Sequence, residues 1–233
     1  MLYRWRIGGA YGYGTVFTLR RTGGEHVLFS FRENELTGGN PYASLTRVGD
    51  TFYGTTFEGG VSDKNFGTVF SISPAGVEKV LHSFRDRRDG AYLQAGVIDV
   101  NGKLYGTTEN GGGSGCSNQG CGTVFWVSPA GDEHVIYRFN GDDGSSPRAD
   151  LLKVGDKLYG KTYVGGSHGD GTVFSVTLSG TEEVIHGFKG GADGVRPVGR
   201  LIDVGGTLYG LTQTGGGTGC GGQGCGTVYS VTP

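Results

Sequence analysis

Gly-Thr-Val followed by Phe or Tyr occurs five times in this chain, starting at Gly14, Gly67, Gly122, Gly171 and Gly226. The copies are 53, 55, 49 and 55 residues apart. A period of this size means one supersecondary unit repeated, each copy burying its apolar face against its neighbours. It also sets a rule for finding function. Residues present in every copy serve the fold, so chemistry is expected where the copies differ.

The copy around residues 149–201 shows the unit most clearly. Ala149–Val154 is a short apolar run ending in the turn pair Gly155-Asp156. Leu158–Thr162 leads into the Gly-rich loop 165–171. Thr172–Thr177 alternates β-branched and aromatic residues as a half-buried strand does. After Ser179-Gly180, Glu182–Phe188 alternates again, and Gly190–Pro197 leads to the next copy. No segment has a 3.6-residue apolar period, so no helix is expected. Four antiparallel strands per unit predict an all-β fold, a β-propeller of four-stranded blades. Five Leu-Tyr or Phe-Tyr strands and five Gly-Thr-Val strands, but only four outer strands ending at Phe31, Phe84, Phe139 and Phe188, predict five blades, with four as the alternative. The first and last blades should be incomplete. The repeats fall at roughly 1–40, 41–90, 91–145, 146–195 and 196–233, one domain in all.

In such a meander the long second links and blade-to-blade links share one face, which becomes the functional candidate. The cysteines lie there, as Cys116-Ser-Asn-Gln-Gly-Cys121 and Cys220-Gly-Gly-Gln-Gly-Cys225. Each pair closes a short loop with no second pair or His beside it, so two disulfides are expected rather than a metal site. Disulfides favour an oxidising, extracellular setting. The start, Met-Leu-Tyr-Arg-Trp-Arg-Ile, has no signal-peptide core, so a secreted protein would need a leader not seen in it. A net charge of −2 without like-charge runs argues against nucleic acid or an anionic membrane as partner. No apolar stretch is long enough to span a bilayer.

The motif combination Leu104-Tyr-Gly-Thr-Thr-Glu-Asn-Gly-Gly through Gly122-Thr-Val-Phe125, then His134–Phe139 and Asp143-Gly144…Pro147, resembles the GloVer (Gloeo-Verruco) tandem-repeat family. The resemblance runs through essentially the whole chain and implies a secreted or surface-attached bacterial protein. It carries no catalytic residue over. Leu2–Arg6 and Gly38-Gly39-Asn40-Pro41 depart from the pattern.

The copies differ most at the slot before the first strand's Leu or Val, which reads Ser44, Gly96, Asp150 and Arg200. First strands line a propeller's channel, so these residues should meet there, either as an Asp150–Arg200 ion pair plugging it or as a binding site with Tyr42, Gln94 and Arg148 on the rim. A binding module for carbohydrate is the leading expectation, with Tyr11, Tyr13, Phe57, Phe66, Tyr92 and Tyr163 as aromatic platforms and His168 as a loop contact. A glycoside hydrolase is the alternative, since it needs two carboxylates about 5–5.5 Å or about 6.5–9.5 Å apart. Asp150 would supply one, and Glu58, Glu109, Asp142 or Asp170 the other. A structural or adhesion repeat without a pocket is the third reading. No cofactor is implied. The Asp-Gly loops at Asp89, Asp143 and Asp193 could offer calcium oxygens, but turn-capping is the expected role. His82 and His186 share a slot with Phe29 and Tyr137 and are expected to pack as aromatics, while His26 and His134 should lie at the surface.

Overall fold

In a computed structural model, residues 8–32, 37–61, 65–85 and 88–233 are described. The Leu2-Tyr3 strand expected from the sequence lies outside them. Five antiparallel sheets follow one another. The first holds β1 (Thr15–Leu19) and β2 (Glu25–Ser30). The second is β3 (Thr46–Val48), β4 (Thr51–Thr56), β5 (Thr68–Ile72) and β6 (Glu78–Ser83). The third is β7 (Ile98–Val100), β8 (Lys103–Thr108), β9 (Thr123–Val127) and β10 (Glu133–Arg138). The fourth adds β11 (Ser145–Pro147) to β12 (Leu152–Val154), β13 (Lys157–Val164), β14 (Thr172–Thr177) and β15 (Glu182–Gly187). The fifth has three strands, β16 (Val195–Val204), β17 (Thr207–Thr214) and β18 (Val228–Val231). The meander order and the missing outer strand of the last sheet match the propeller reading.

The invariant residues explain themselves. The threonine ending Leu-Tyr-Gly-x-Thr meets the threonine of Gly-Thr-Val across the strand pair. The hydroxyl oxygens are 2.8 Å apart in Thr56–Thr68, Thr108–Thr123, Thr162–Thr172 and Thr212–Thr227. The glycine of Leu-Tyr-Gly sits under the cross-strand aromatic. A Cβ on Gly160 would stand 2.4 Å from the Phe174 ring, so only glycine fits. Gly122 has φ +101°, and a Cβ there would meet the Thr108 carbonyl oxygen at 2.5 Å.

Between sheets the packing repeats as well. Four apolar clusters join the first sheet to the second, second to third, third to fourth, and fourth to fifth. Each is centred on a T-shaped aromatic pair with ring centroids 4.9–5.1 Å apart, namely Phe31–Phe70, Phe84–Phe125, Phe139–Phe174 and Phe188–Tyr229. Each linker is also tied to the sheet before it by a backbone bond. The amides of Asn40, Tyr92, Ser146 and Arg196 donate to the carbonyls of Tyr13, Phe66, Cys121 and Asp170. All four donors have φ between +56° and +62°, a conformation costly for Tyr and Arg, and the linker bond holds it in place.

Two sequence expectations need correction. A four-residue helical turn, Gly115–Asn118, occupies the first cysteine loop, although Cys116 and Ser117 have positive φ and interrupt it. A 3-10 turn covers Gly191–Asp193. Both are local loop geometry that apolar periodicity cannot register. His82 and His186 do pack edge-on against Phe84 and Phe188, each at 4.8 Å, but they also bond Asp89 and Asp193 at 3.3 and 3.0 Å. Tyr137 does the same with Asp143 at 2.5 Å. The three aspartates also accept the backbone amides of Arg85, Asn140 and Lys189, so they act as the expected turn caps. The equivalent outer-strand carboxyls Glu78 and Glu182 are pushed up to about 7, mainly by burial.

Candidate functional site

Three of the four inner slots, Ser44, Gly96 and Asp150, lie next to one another. The Gly96 amide donates to Asp150 Oδ1 at 2.7 Å, and a Cβ on Gly96 would lie 3.0 Å from the Ser44 carbonyl oxygen. The Asp150–Arg200 ion pair is not formed among the described residues. Asp150 instead reaches back to the preceding sheet, where Gly96 has no side chain to cover its amide. Ser44 and Arg200 are exposed at this inner edge.

Beside it lies a cavity of about 330 Å³ lined by Gln94, Arg148, Ala149, Tyr163, Pro197, Val198, Gly199 and Gln213. Three residues expected from the sequence therefore share one wall. Arg148 Nη2 donates to Glu109 Oε1 at 2.5 Å, and Gln94 Nε2 donates to Glu109 Oε2 at 2.5 Å. The Arg148 guanidinium carbon sits 4.2 Å from the Tyr163 ring centroid, and that of Arg196 5.5 Å away. The Tyr163 hydroxyl donates to Gln213 Oε1 at 2.6 Å. Glu109 thus holds Gln94 and Arg148 side by side, and the half-buried Tyr163 ring is set between Arg148 and Gln213.

Below the cavity, Lys161 is 1% exposed and its ammonium donates to the Val198 carbonyl. Burial lowers its pKa to about 8. Lys161 takes the slot that Thr55 and Thr107 fill in earlier copies. Sequence reading passed over Lys161, Arg196 and Gln213. The signal was present in the aligned copies, since Gln213 shares a slot with Glu109 and Tyr163, and Arg196 shares one with Tyr92.

A second cavity, of about 210 Å³, is lined by Phe66, Ala91, Tyr92, Asn110, Gly111, Asn118 and Gln119. Phe66 and Tyr92 belong to an aromatic row. Tyr42–Phe57, Phe57–Tyr92 and Phe66–Tyr92 centroids are 5.4, 5.0 and 5.9 Å apart.

The remaining expected site residues are scattered. Glu58 accepts from Asn40 Nδ2 at 2.7 Å on the linker between the first two sheets. His168 is exposed and bonds Ser167. Asp170 holds the Arg196 amide through its carbonyl, while Asp142 is exposed in its loop. Glu109 has both oxygens occupied and its charge countered, and Asp150 is bonded to an amide. Both cysteine pairs are disulfides, Cys116–Cys121 and Cys220–Cys225. Among the described residues no helix is long and apolar enough to cross a membrane.

The model of the Gloeobacter/Verrucomicrobia repeat matches residues 3–118 and 114–233. No curated protein sequence matches the chain. Several solved structures share its fold at low identity. A PQQ-bound aldose sugar dehydrogenase from Streptomyces coelicolor is 11% identical with a TM-score of 0.55, covering 93% of this chain and 70% of its own. A luciferin-regenerating enzyme is 11% identical with a TM-score of 0.51, covering 90% of this chain and 66% of its own. The tricorn protease, 13% identical with a TM-score of 0.48, aligns over 90% of this chain, which spans 19% of that protein's length. At these identities the likeness is one of fold alone.

Proposed function

The chain belongs to the Gloeobacter/Verrucomicrobia repeat family, and from its site we propose that it is an extracellular carbohydrate-binding module. The Tyr163 cavity is the principal site, and the Phe66–Tyr92 cavity is an accessory one. The observation that carries this reading is the fixed wall of Gln94, Arg148, Tyr163 and Gln213, held by hydrogen bonds of 2.5–2.6 Å. Sugar recognition needs apolar ring surface with a few preset donors and acceptors, and preorganised groups bind without an ordering penalty. Carboxamides and guanidiniums bond hydroxyl groups, and the tyrosine supplies the ring. Two different cavities on one face suit an extended polymer, since two weak sites on one ligand reinforce each other through effective concentration. The two disulfides fit an oxidising location. The occupied state of Glu109 and Asp150 favours binding over hydrolysis, which needs a free carboxyl pair across the bond to be cut.

Affinity electrophoresis through gels containing plant or microbial polysaccharides tests this. At least one neutral or acidic polysaccharide should retard the protein. Tyr163→Ala should weaken the retained interaction by roughly 30-fold, the loss typical of a central aromatic contact of about 2 kcal/mol. Retardation unchanged in Tyr163→Ala, or no retardation by any polymer, refutes the assignment.

A further inference from the structure

The four interfaces between sheets are made by the same two side chains each time. The valine of Gly-Thr-Val faces the following sheet. Val16, Val69, Val124 and Val173 do so and are 0–5% exposed. The aromatic after it faces the preceding sheet, as Phe70, Phe125, Phe174 and Tyr229 do in their paired rings. The described residues form four such interfaces, so of five valines and five aromatics one of each lies outside them. These are Val228, 77% exposed, and Phe17, 54% exposed.

Neither is an isolated surface residue. Around Val228 the fifth sheet also exposes Ile202, Val204, Tyr209 and Leu211. Tyr209 is the counterpart of Tyr105 and Tyr159, which are buried against the next sheet. Beside Phe17 the first sheet exposes Leu19, at the position where the interior copies bury Ile72, Val127 and Val176 completely. Contiguous apolar surface of this kind marks an interaction site. Its occupant follows from the interior. One end presents the valine-bearing half of an interface the chain already makes four times, and the other end presents the aromatic-bearing half.

We propose that the protein self-associates head to tail, the Val228 face of one copy packing on the Phe17 face of a second. Such an interface is heterologous, so each added copy leaves one face of each kind free. Association grows with concentration until a ring closes.

Sedimentation velocity across a concentration series is the test, using the wild type, Val228→Lys on the last face and Leu19→Lys on the first. Both positions are exposed, so the variants should keep the wild-type circular dichroism and melting temperature. The wild type should exceed monomer mass as concentration rises, and each variant alone should stay monomeric. An equimolar mixture of the two should stop at twice the monomer mass, because each variant retains the half the other has lost. A wild type that is monomeric throughout overturns the proposal. So does association that survives both single substitutions, or a mixture that stays monomeric.

Discussion

Phe125 and Phe17 occupy the same position of the repeat, yet the fold predicts very different costs for truncating them. Phe125 is fully buried, its ring 5.0 Å from Phe84 and lying over Gly106. Removing such a ring loses its transfer free energy and leaves a cavity, together about 3–5 kcal/mol for Phe→Ala in a core. The lost edge-to-face pair is part of that figure. Collapse into the space is limited, because the strands on either side are held by ladder bonds and by the Thr108–Thr123 hydroxyl pair. Phe17 is 54% exposed, so its truncation should cost under about 1 kcal/mol. For a chain of this length 1 kcal/mol moves the melting temperature by roughly 2–4 °C. Phe125→Ala should therefore lower it by roughly 6–20 °C, and Phe17→Ala by less than about 4 °C. Thermal melts and urea titrations give both values, measured at a dilution where sedimentation shows monomers. Equal losses would refute the reasoning, since Phe17 would then be as buried as Phe125 and the five sheets would close on themselves.

Stability should depend on pH in two separate windows. Glu78 and Glu182 have folded pKa values of about 7 against an ordinary 4.5, so their contribution is full below pH 4.5 and lost as pH rises through 7. Lys161 is depressed to about 8 from 10.5, so its contribution is full above pH 10.5 and lost as pH falls through 8. Urea midpoints should dip between pH 7 and 8, and Lys161→Thr should abolish the alkaline rise while sparing the acid one. The disulfides should differ in accessibility, because Cys121 is fully buried while Cys220 and Cys225 are exposed. Partial reduction followed by alkylation and mass spectrometry should label Cys220 and Cys225 first. Equal labelling of both pairs would show that the first loop is open in solution.

Much of this fold is written in the repeat. Thr172–Thr177 is a strand with the bounds its alternation suggests, and the surplus of Gly-Thr-Val strands over outer strands already marks the short last sheet. These features are legible because they are local, or because five copies repeat them. The site is legible only in part. Gln94, Arg148 and Tyr163 could be singled out by comparing copies, since their slots change residue type from copy to copy. Their partner Glu109 lies 39 residues before Arg148, and nothing local announces that bond. The Asp150–Arg200 pair is the converse case. Opposite charges in equivalent slots suggest a bridge, but the bare amide of Gly96 lies closer to Asp150. The aspartates of His82–Asp89 and His186–Asp193 were legible as turn caps, while their second role needed the folded sheet edge. The left-handed residues Asn40, Tyr92, Ser146 and Arg196 share a conformation but no chemistry, so their sequence hides it.

The claim that this is a binding module rather than a hydrolase is tested most directly by measuring reducing-end release on a polysaccharide that the protein retains. A binding module should show saturable binding that Tyr163→Ala weakens, with no reducing ends above the protein-free control at any protein concentration. Reducing ends that accumulate in proportion to protein, and disappear in Asp150→Asn, would contradict it.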